Sequence, residues 1–376
     1  MTTHELLAEP VASAEIREKA EFAMQLEDSG GKVILYGAGS LGRKAAVALR
    51  NQGIEPIAFI DNDVQLHGRT VERILVLSPD TAAEHWRNSA LFVVTTFLPN
   101  CGGVQARLKE LDLLGCKFTS TFLQLGWRFD GVLPHFAADR PSRFLSNSGQ
   151  LIQVASLWKD ACSRETFRQT LLWRTRACFC GGGTPAPDQY FPKDILLPNP
   201  QEIFLDGGAF NGDTLRAAPW RFSSAIAVEP DPINAANLRA ACAHIADVQE
   251  VLLGNRSGLA RFDGRGNMAS SRSDSGSLEI KVTMLDNLVK KQVPTFIKLD
   301  VEGDELAALQ GASQILKCAQ PVLAVCVYHR PEDLWTIPAF IHEMMPSHQL
   351  FLRSHAWDGF ELVVYAVPLA RCVSRS

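Results

Sequence analysis

The sequence lacks the features that mark secreted, membrane and nucleic-acid-binding proteins. None of its apolar runs approaches the ~20 residues that a membrane-spanning helix needs. Residues 1–22 carry acidic side chains where a signal peptide needs positive charge. A net charge of -4 gives no overall basic excess for binding nucleic acid. These absences predict a cytoplasmic protein without a membrane span and without a nucleic-acid partner.

Paired cysteine spacing is also absent, although the chain has nine cysteines. Cys178 and Cys180 form a C-x-C beside three glycines, but no second cluster of cysteine or histidine follows. A zinc site needs such a second cluster, so we expect reduced, structural thiols.

The chain is long enough for two domains, since it has 376 residues of which 46% are hydrophobic. Strands and helices alternate in both halves, which predicts an α/β protein with two doubly wound, Rossmann-like domains. We expect a small nucleotide-binding-type domain at 1–130 and a helical linker with a Gly/Pro-rich loop at 131–200. The second domain should occupy 201–376. Single elements are predicted at 4–28 (helix), 248–255 (strand) and 304–317 (helix).

A dinucleotide-type fingerprint lies near the N-terminus. The strand at 33–36 is followed by Gly37, Gly39 and Gly42, which fill G-x-G-x-x-G, and Asp61 ends the next strand. These glycines suit a nucleotide or sugar-nucleotide pocket, but they also suit close packing of a helix on a strand. Two interpretations stay open: a second nucleotide site, or a fold used only for packing or for forming a homodimer.

The strongest site signal follows the first strand of the second domain. Asp206 opens the loop D-G-G-A-F-N-G-D, and Glu229 ends the next strand. An acidic first residue disfavours a pyrophosphate and suits an amino group, such as that of S-adenosylmethionine, while Glu229 can accept hydrogen bonds from two ribose hydroxyls. The predicted cofactor contacts are Asp206, Gly207, Gly208, Ala209, Phe210, Gly212, Asp213, Glu229, Pro230, Asp231 and Asn255.

The end of the chain distinguishes between fold types. The alternating runs at 349–355 and 361–367 flank W-D-G, which predicts a hairpin. Parallel strands need a crossover helix, and there is no room for one here, so the last strand must be antiparallel. A parallel sheet with such a last strand is the layout of class I methyltransferases rather than of dehydrogenases.

These motifs resemble the FkbM family of S-adenosylmethionine-dependent methyltransferases. The resemblance rests on LDGGAFNGDT, VEPDP, VTMLDNL, IKLDVEGDELAALQGA and VYHRPEDLW, in this order. A leading domain like GAGSLGR…FIDND is also seen fused to members of that family. The resemblance implies O-methylation of a small-molecule or glycan acceptor: a sugar, a polysaccharide precursor or a secondary metabolite.

Candidate catalytic residues lie at the predicted carboxyl ends of strands, where open α/β sheets bind ligands. His329 is a candidate general base, and so are Asp300 and Glu302. Asp300 and Glu302 are also candidate ligands of a divalent metal that would acidify the acceptor hydroxyl. Each residue also has a structural alternative: Asp300 would bond only to the loop backbone, Glu302 would cap the following helix, and His329 would be a loop histidine whose imidazole has ordinary hydrogen-bond partners. Lys298, on the same strand face as Asp300, is expected to keep that acid ionised.

Other functions remain open. The N-terminal glycines fit an NAD-dependent oxidoreductase or epimerase of sugar nucleotides, and a third hypothesis is a non-catalytic cofactor-binding protein. Tyr190 and Phe191 lie in the Gly/Pro-rich loop, where they either cover a cofactor or anchor the loop to the core.

Overall fold

The computed structural model describes residues 1–97, 102–179, 184–267, 270–289 and 292–373, so Cys180 of the C-x-C pair lies outside the described residues. The chain divides into two compact units, each built from three separate segments. The first unit comprises Met1–Ala155, Glu165–Pro185 and Ala356–Phe360. The second unit comprises Ser156–Arg164, Ala186–His355 and Glu361–Ser376.

The first unit combines one open sheet with flanking helices. Its helices are α1 (Thr3–Leu7), α2 (Val11–Asp28), α3 (Ser40–Arg50), α4 (Pro79–Trp86), α5 (Gly103–Leu113), α6 (Phe122–Arg128), α7 (Pro141–Leu145) and α8 (Ser148–Ala155), and α9 (Ala161–Arg176) spans the boundary of the two units. Its strands are β1 (Val33–Tyr36), β2 (Ala58–Ile60), β3 (Thr70–Val71), β4 (Ile74–Leu77), β5 (Leu91–Val94) and β6 (Phe118–Thr121).

The strand order of this sheet is β3-β4-β2-β1-β5-β6, and all neighbours are parallel except the β3–β4 pair. Every residue of β1 and β5 is buried, as expected for parallel strands covered on both faces. The single helix predicted over 4–28 is wrong. Pro10 separates α1 from α2, because proline has no N–H to donate inside a helix.

The second unit contains the remaining elements. Its strands are β7 (Ile203–Gly207), β8 (Ser224–Val228), β9 (Asp247–Gln249), β10 (Leu252–Leu253), β11 (Gly258–Asp263), β12 (Ser271–Arg272), β13 (Leu278–Thr283), β14 (Phe296–Leu299), β15 (Val322–Cys326), β16 (Gln349–Ser354) and β17 (Leu362–Val367). Its helices are α10 (Asp213–Ala217), α11 (Pro232–Cys242), α12 (Leu285–Leu288), α13 (Glu305–Gln310), α14 (Ser313–Ala319) and α15 (Asp333–Met344).

The large sheet of this unit positions the candidate site. In the part of the chain that the structure describes, its order is β16-β17-β15-β14-β7-β8-β9. The last strand, β17, is antiparallel to both of its neighbours, and the other paired strands are parallel. The predicted α/β class and the antiparallel last strand are therefore confirmed. The carboxyl ends of β7, β8, β14 and β15 meet at one edge.

Two predicted elements are divided in the structure. The strand predicted over 248–255 is two strands: β9 extends the large sheet, whereas β10 joins a small sheet of order β10-β13-β11-β12. The helix predicted over 304–317 breaks between α13 and α14 at Gly311. A Cβ at Gly311 would lie only 2.1 Å from the carbonyl oxygen of Gly254, so the chain passes too close to a neighbouring loop for any other residue. Among the described residues, no helix combines the length and apolar character needed to cross a membrane.

Candidate functional site

The glycine turn after β7 packs directly against the loop after β14. Gly208 has a left-handed φ of +76°, and a Cβ there would lie 1.8 Å from the carbonyl oxygen of Asp300. The N–H of Asp300 donates to the carbonyl oxygen of Gly207 at 3.0 Å. Gly212, at φ +80°, precedes α10, and a Cβ there would lie 2.4 Å from Cys242 Sγ. Only glycine fits at these two positions, and the turn fixes the predicted cofactor edge beside Asp300.

A buried ion pair between Lys298 and Asp206 is hydrogen-bonded to this turn. Lys298 Nζ lies 2.9 Å from Asp206 Oδ1 and donates to the carbonyl oxygen of Gly208 at 2.7 Å. Burial disfavours the charged ammonium, but the carboxylates of Asp206 and Asp300 outweigh it and raise the pKa of Lys298. Burial also raises the pKa of Asp206, which the ammonium opposes. Lys298 therefore forms its ion pair with Asp206, and its charge also lowers the pKa of Asp300, the acid that it was expected to keep ionised. The carboxylate of Asp206 is fully buried beside Lys298, and its contact with a ligand amino group stays a prediction.

Glu229 lies at the end of β8, where a ribose was predicted. Its Oε2 accepts the N–H of Phe210 and its Oε1 accepts the N–H of Asp231, both at 2.9 Å. Burial raises the pKa of Glu229 to about 7, although the two backbone N–H groups act in the opposite direction. Each carboxylate oxygen keeps a lone pair after these bonds, and these lone pairs can accept hydrogen bonds from a diol.

Two residues predicted at the adenine rim, Asp231 and Asn255, have hydrogen-bond partners within the chain. Asp231 Oδ1 accepts the N–H groups of Ile233 and Asn234 and so caps α11, while Oδ2 accepts from Gly266 and Ser270. Four donors occupy this buried carboxylate, so Asp231 organises the backbone around it. Asn255 is exposed and donates to Gln310 Oε1 at 3.0 Å. Of the other predicted contacts, Ala209 lies in the glycine turn, Asp213 begins α10, and Pro230 follows Glu229 in the chain.

His329 stands among several carboxylates at the ends of β14 and β15. Its Nδ1 lies 2.9 Å from Glu305 Oε1, and its Nε2 lies 3.5 Å from Asp300 Oδ1 and 3.8 Å from Glu302 Oε1. The His329 side chain is 5% exposed, whereas those of Asp300 and Glu302 are 22% and 32% exposed. The structure therefore brings together the three residues that the sequence proposed for catalysis.

The charges in this cluster affect its protonation. Burial would lower the pKa of His329, but Glu305, Asp300 and Glu302 outweigh it and raise the pKa to about 10. In this arrangement the imidazole is protonated at neutral pH, which disfavours the interpretation of His329 as a general base. Burial raises the pKa of Glu302 to about 7. Burial also opposes the charge of Asp300, but Lys298 and His329 hold the pKa of this carboxyl below its usual range.

The acid that holds His329, Glu305, was not among the predicted residues. Its Oε1 also accepts the N–H of Val301 at 2.8 Å and lies 3.4 Å from the N of Gly303. Glu302 does not cap the following helix, because the side chain that reaches back to the loop backbone is that of Glu305. The acidic run in KLDVEGDE was the available signal, but its spacing alone does not say which acid turns inward.

Further side chains complete the cluster from distant parts of the chain. Tyr190 donates to Asp300 Oδ2 at 2.8 Å, and Tyr328 donates to Asp300 Oδ1 at 3.4 Å. Gln189 donates to Glu361 Oε2 at 2.6 Å. One ligand atom from each of Asp300, Cys326 and Glu361 falls within 4.8 Å of the others, so Glu361 belongs to the same edge. Tyr190 and Phe191 are both buried, and Phe191 packs against Phe204 and Phe296, so these aromatic residues anchor the loop to the core, while a covering role toward a cofactor stays a prediction.

In the first unit, packing explains two of the three fingerprint glycines. A Cβ at Gly42 would lie 1.9 Å from the carbonyl oxygen of Gly37, and Gly37 itself has φ +113°. A Cβ at Gly39 would meet no described atom within 4 Å, so this position is open. Asp61 accepts the N–H of Ala38 at 2.9 Å, so it already holds this turn. Both interpretations of the fingerprint are compatible with these contacts.

Comparison with known proteins identifies the second unit. Residues 206–353 match the family model of the methyltransferase FkbM domain. No curated protein matches the chain. A crystal structure of methyltransferase FkbM from Methylobacillus flagellatus KT is similar to 96% of this chain and 100% of its own, with a TM-score of 0.75 and 20% sequence identity. At this identity the likeness establishes a shared fold. Residues 206–353 of the second unit are therefore similar to the methyltransferase FkbM domain, and the strand order agrees with the shared fold.

Proposed function

We propose that this protein is an S-adenosylmethionine-dependent O-methyltransferase. The observation that carries the proposal is the contact between the glycine turn at Gly208 and the loop of Asp300. With this contact, the proposed nucleoside site would lie beside the acid cluster at one edge of the sheet. Methyl transfer needs donor and acceptor in line within a few ångströms, and such an edge can hold both.

The cofactor would lie across the turn. Gly207, Gly208 and Gly212 allow close approach of the backbone, and Glu229 offers its remaining lone pairs to the ribose hydroxyls. Asp206 is paired with Lys298, which is hydrogen-bonded to the turn at Gly208. We propose that Asp206 acts mainly by fixing this turn, which would contact the methionine portion of the cofactor.

The acceptor would approach from the side of the acid cluster. Asp300 and Glu302 are its partly exposed carboxylates, and they can orient a hydroxyl that must lose a proton. A sugar, a polysaccharide precursor or a secondary metabolite with neighbouring hydroxyls would present donors to both acids. We therefore keep a hydroxylated small molecule or glycan as the acceptor class.

Calorimetry on the purified full chain tests this function. We expect heat of binding with S-adenosylmethionine and S-adenosylhomocysteine, and a loss of affinity of about tenfold in Glu229→Gln. NAD(H) is the matched comparison, because it tests the second candidate, an oxidoreductase or epimerase built on the open Gly39 turn. Heat with NAD(H) and none with S-adenosylmethionine would reject the methyltransferase proposal. Incubating cell metabolites with a labelled methyl donor, followed by mass spectrometry, would identify the acceptor.

A further inference from the structure

We propose that Asp300, Glu302 and His329 form a binding site for a divalent first-row transition cation beside the methyl-donor turn. The site itself is inferred from the geometry of these three side chains. Its use in catalysis rests on the proposed methyl transfer.

The spacing of the three ligand atoms fits a shared ion. His329 Nε2 lies 3.5 Å from Asp300 Oδ1 and 3.8 Å from Glu302 Oε1, and all three atoms fall within 4.8 Å of one another. Ligand atoms about 2.1 Å from a metal ion are separated by about 3.0 Å at a right angle and by about 3.4 Å at the tetrahedral angle. Shifts of a few tenths of an ångström would therefore bring His329 Nε2 and each of the two carboxylate oxygens to the separation of two ligands of one ion.

The histidine is held as a metal ligand would be. Its side chain is 95% buried, and among the described residues neither ring nitrogen makes a hydrogen bond of good geometry, although Nε2 points at two carboxylates. Its other nitrogen, Nδ1, lies 2.9 Å from the fully buried Glu305, which the N–H of Val301 fixes in place. A carboxylate on the far nitrogen of an imidazole is the arrangement that orients metal-binding histidines.

The two acids also have oxygens available. Tyr190 donates to Oδ2 of Asp300, whereas Oδ1 lies on the side of His329 and accepts the longer bond of 3.4 Å from Tyr328, which leaves it a further lone pair. Glu302 has a left-handed φ of +54°, and Gly303 follows at φ +99°. This backbone brings Glu302 Oε1 to the same side. The alternative set of Asp300, Cys326 and Glu361 needs a thiol that lies fully buried in the sheet, so we favour the set that contains the histidine.

The ligand types indicate which ion would bind. One imidazole with two carboxylates suits Mn²⁺, Fe²⁺, Co²⁺ or Zn²⁺ better than Mg²⁺ or Ca²⁺, which prefer oxygen ligands alone.

A bound cation would make an acceptor hydroxyl more acidic. The hydroxyl would release its proton to solvent, and its oxygen electron pair would form the new bond to the methyl carbon. The electron pair of the broken C–S bond would stay on sulfur, and the sulfonium would become a neutral thioether.

Cation binding can be measured without turnover. We expect the EDTA-treated full chain to bind one Mn²⁺, seen as loss of the free Mn²⁺ signal in electron paramagnetic resonance, and to bind Zn²⁺ in calorimetry. Asp300→Asn, Glu302→Gln and His329→Ala should each weaken Mn²⁺ binding at least about tenfold. Glu305→Gln, which alters a positioning residue, should weaken it by about 10- to 100-fold. The matched control is Asp304→Asn, because this acid adjoins Glu305 but pairs with Arg330, and Mn²⁺ affinity should stay within about twofold.

Two results would overturn the inference. One is a wild-type chain that binds neither Mn²⁺ nor Zn²⁺ at about 1 mM. The other is binding that survives unchanged in the folded, nearly isosteric variants Asp300→Asn and Glu302→Gln. Calorimetry with S-adenosylmethionine on the same samples separates the two proposals. Nucleoside binding without cation binding refutes this site alone, and cation binding without nucleoside binding refutes the proposed function alone.

Discussion

Replacing Lys298 with methionine tests whether one ion pair supports the candidate cofactor turn. The ammonium lies 2.9 Å from Asp206, and the two side chains are 3% and 0% exposed. Without Lys298, a fully buried carboxylate loses its cation, and breaking a buried pair in this way costs about 3–5 kcal/mol. The hydrogen bond from Nζ to Gly208 is lost as well. We expect Lys298→Met to lower the free energy of unfolding by about 3–5 kcal/mol at neutral pH.

A double-variant cycle isolates the pair. Asp206→Asn alone should also be destabilising, because it leaves a buried ammonium without its partner. The double variant Asp206→Asn/Lys298→Met contains neither charge and should lie within about 2 kcal/mol of the wild type. Guanidinium unfolding of the full chain, followed by circular dichroism, measures all four proteins. In Lys298→Met the loss should shrink as the pH is lowered, because the unpaired carboxyl of Asp206 then takes up a proton.

Two outcomes would refute this reasoning. If Lys298→Met costs less than about 1 kcal/mol, the pair does not carry the expected energy. If the double variant is as unstable as Lys298→Met, the loss comes from the bond to Gly208 or from packing and not from the unpaired charge of Asp206.

Three further predictions concern the site and its support. The pKa of Glu229 is raised to about 7, and only the ionised carboxylate should accept hydrogen bonds from both ribose hydroxyls. The affinity for S-adenosylmethionine, measured by calorimetry, should therefore fall as the pH drops below about 7, and Glu229→Gln should make the affinity less dependent on pH. The free energy of unfolding of the ligand-free protein should depend on pH in the opposite direction. Because the pKa of Glu229 is raised in the folded state, its contribution to stability is lost as the pH rises through about 7. Gly208→Ala should cost at least about 3 kcal/mol in unfolding experiments, because its Cβ would overlap a carbonyl oxygen, whereas the open Gly39→Ala should stay within about 1 kcal/mol. Arg353→Met should lower the free energy of unfolding by about 3–5 kcal/mol, because it breaks the buried ion pair in which the guanidinium lies 2.6 Å from Asp160, and an unchanged melting temperature would contradict this.

The sequence by itself determined the local pieces of the site. Apolar runs with glycine and an acid at their ends predicted the strand before Asp206 and the strand before Glu229, and both are present as β7 and β8. The short W-D-G connection determined that the last strand is antiparallel, because no crossover helix fits there. These features depend on neighbouring residues, which is why a single sequence reveals them.

Only the tertiary structure decided which side chains meet. Lys298 lies two residues from Asp300 in sequence, but the β14–β7 register places it opposite Asp206, which therefore became its partner. Glu305 lies at Nδ1 of His329 and Glu302 lies on the side of Nε2, and the left-handed φ values of Glu302 and Gly303 separate these two acids along the loop. Contacts of this kind depend on strand order, register and loop path across many residues, and no local pattern in the chain encodes them.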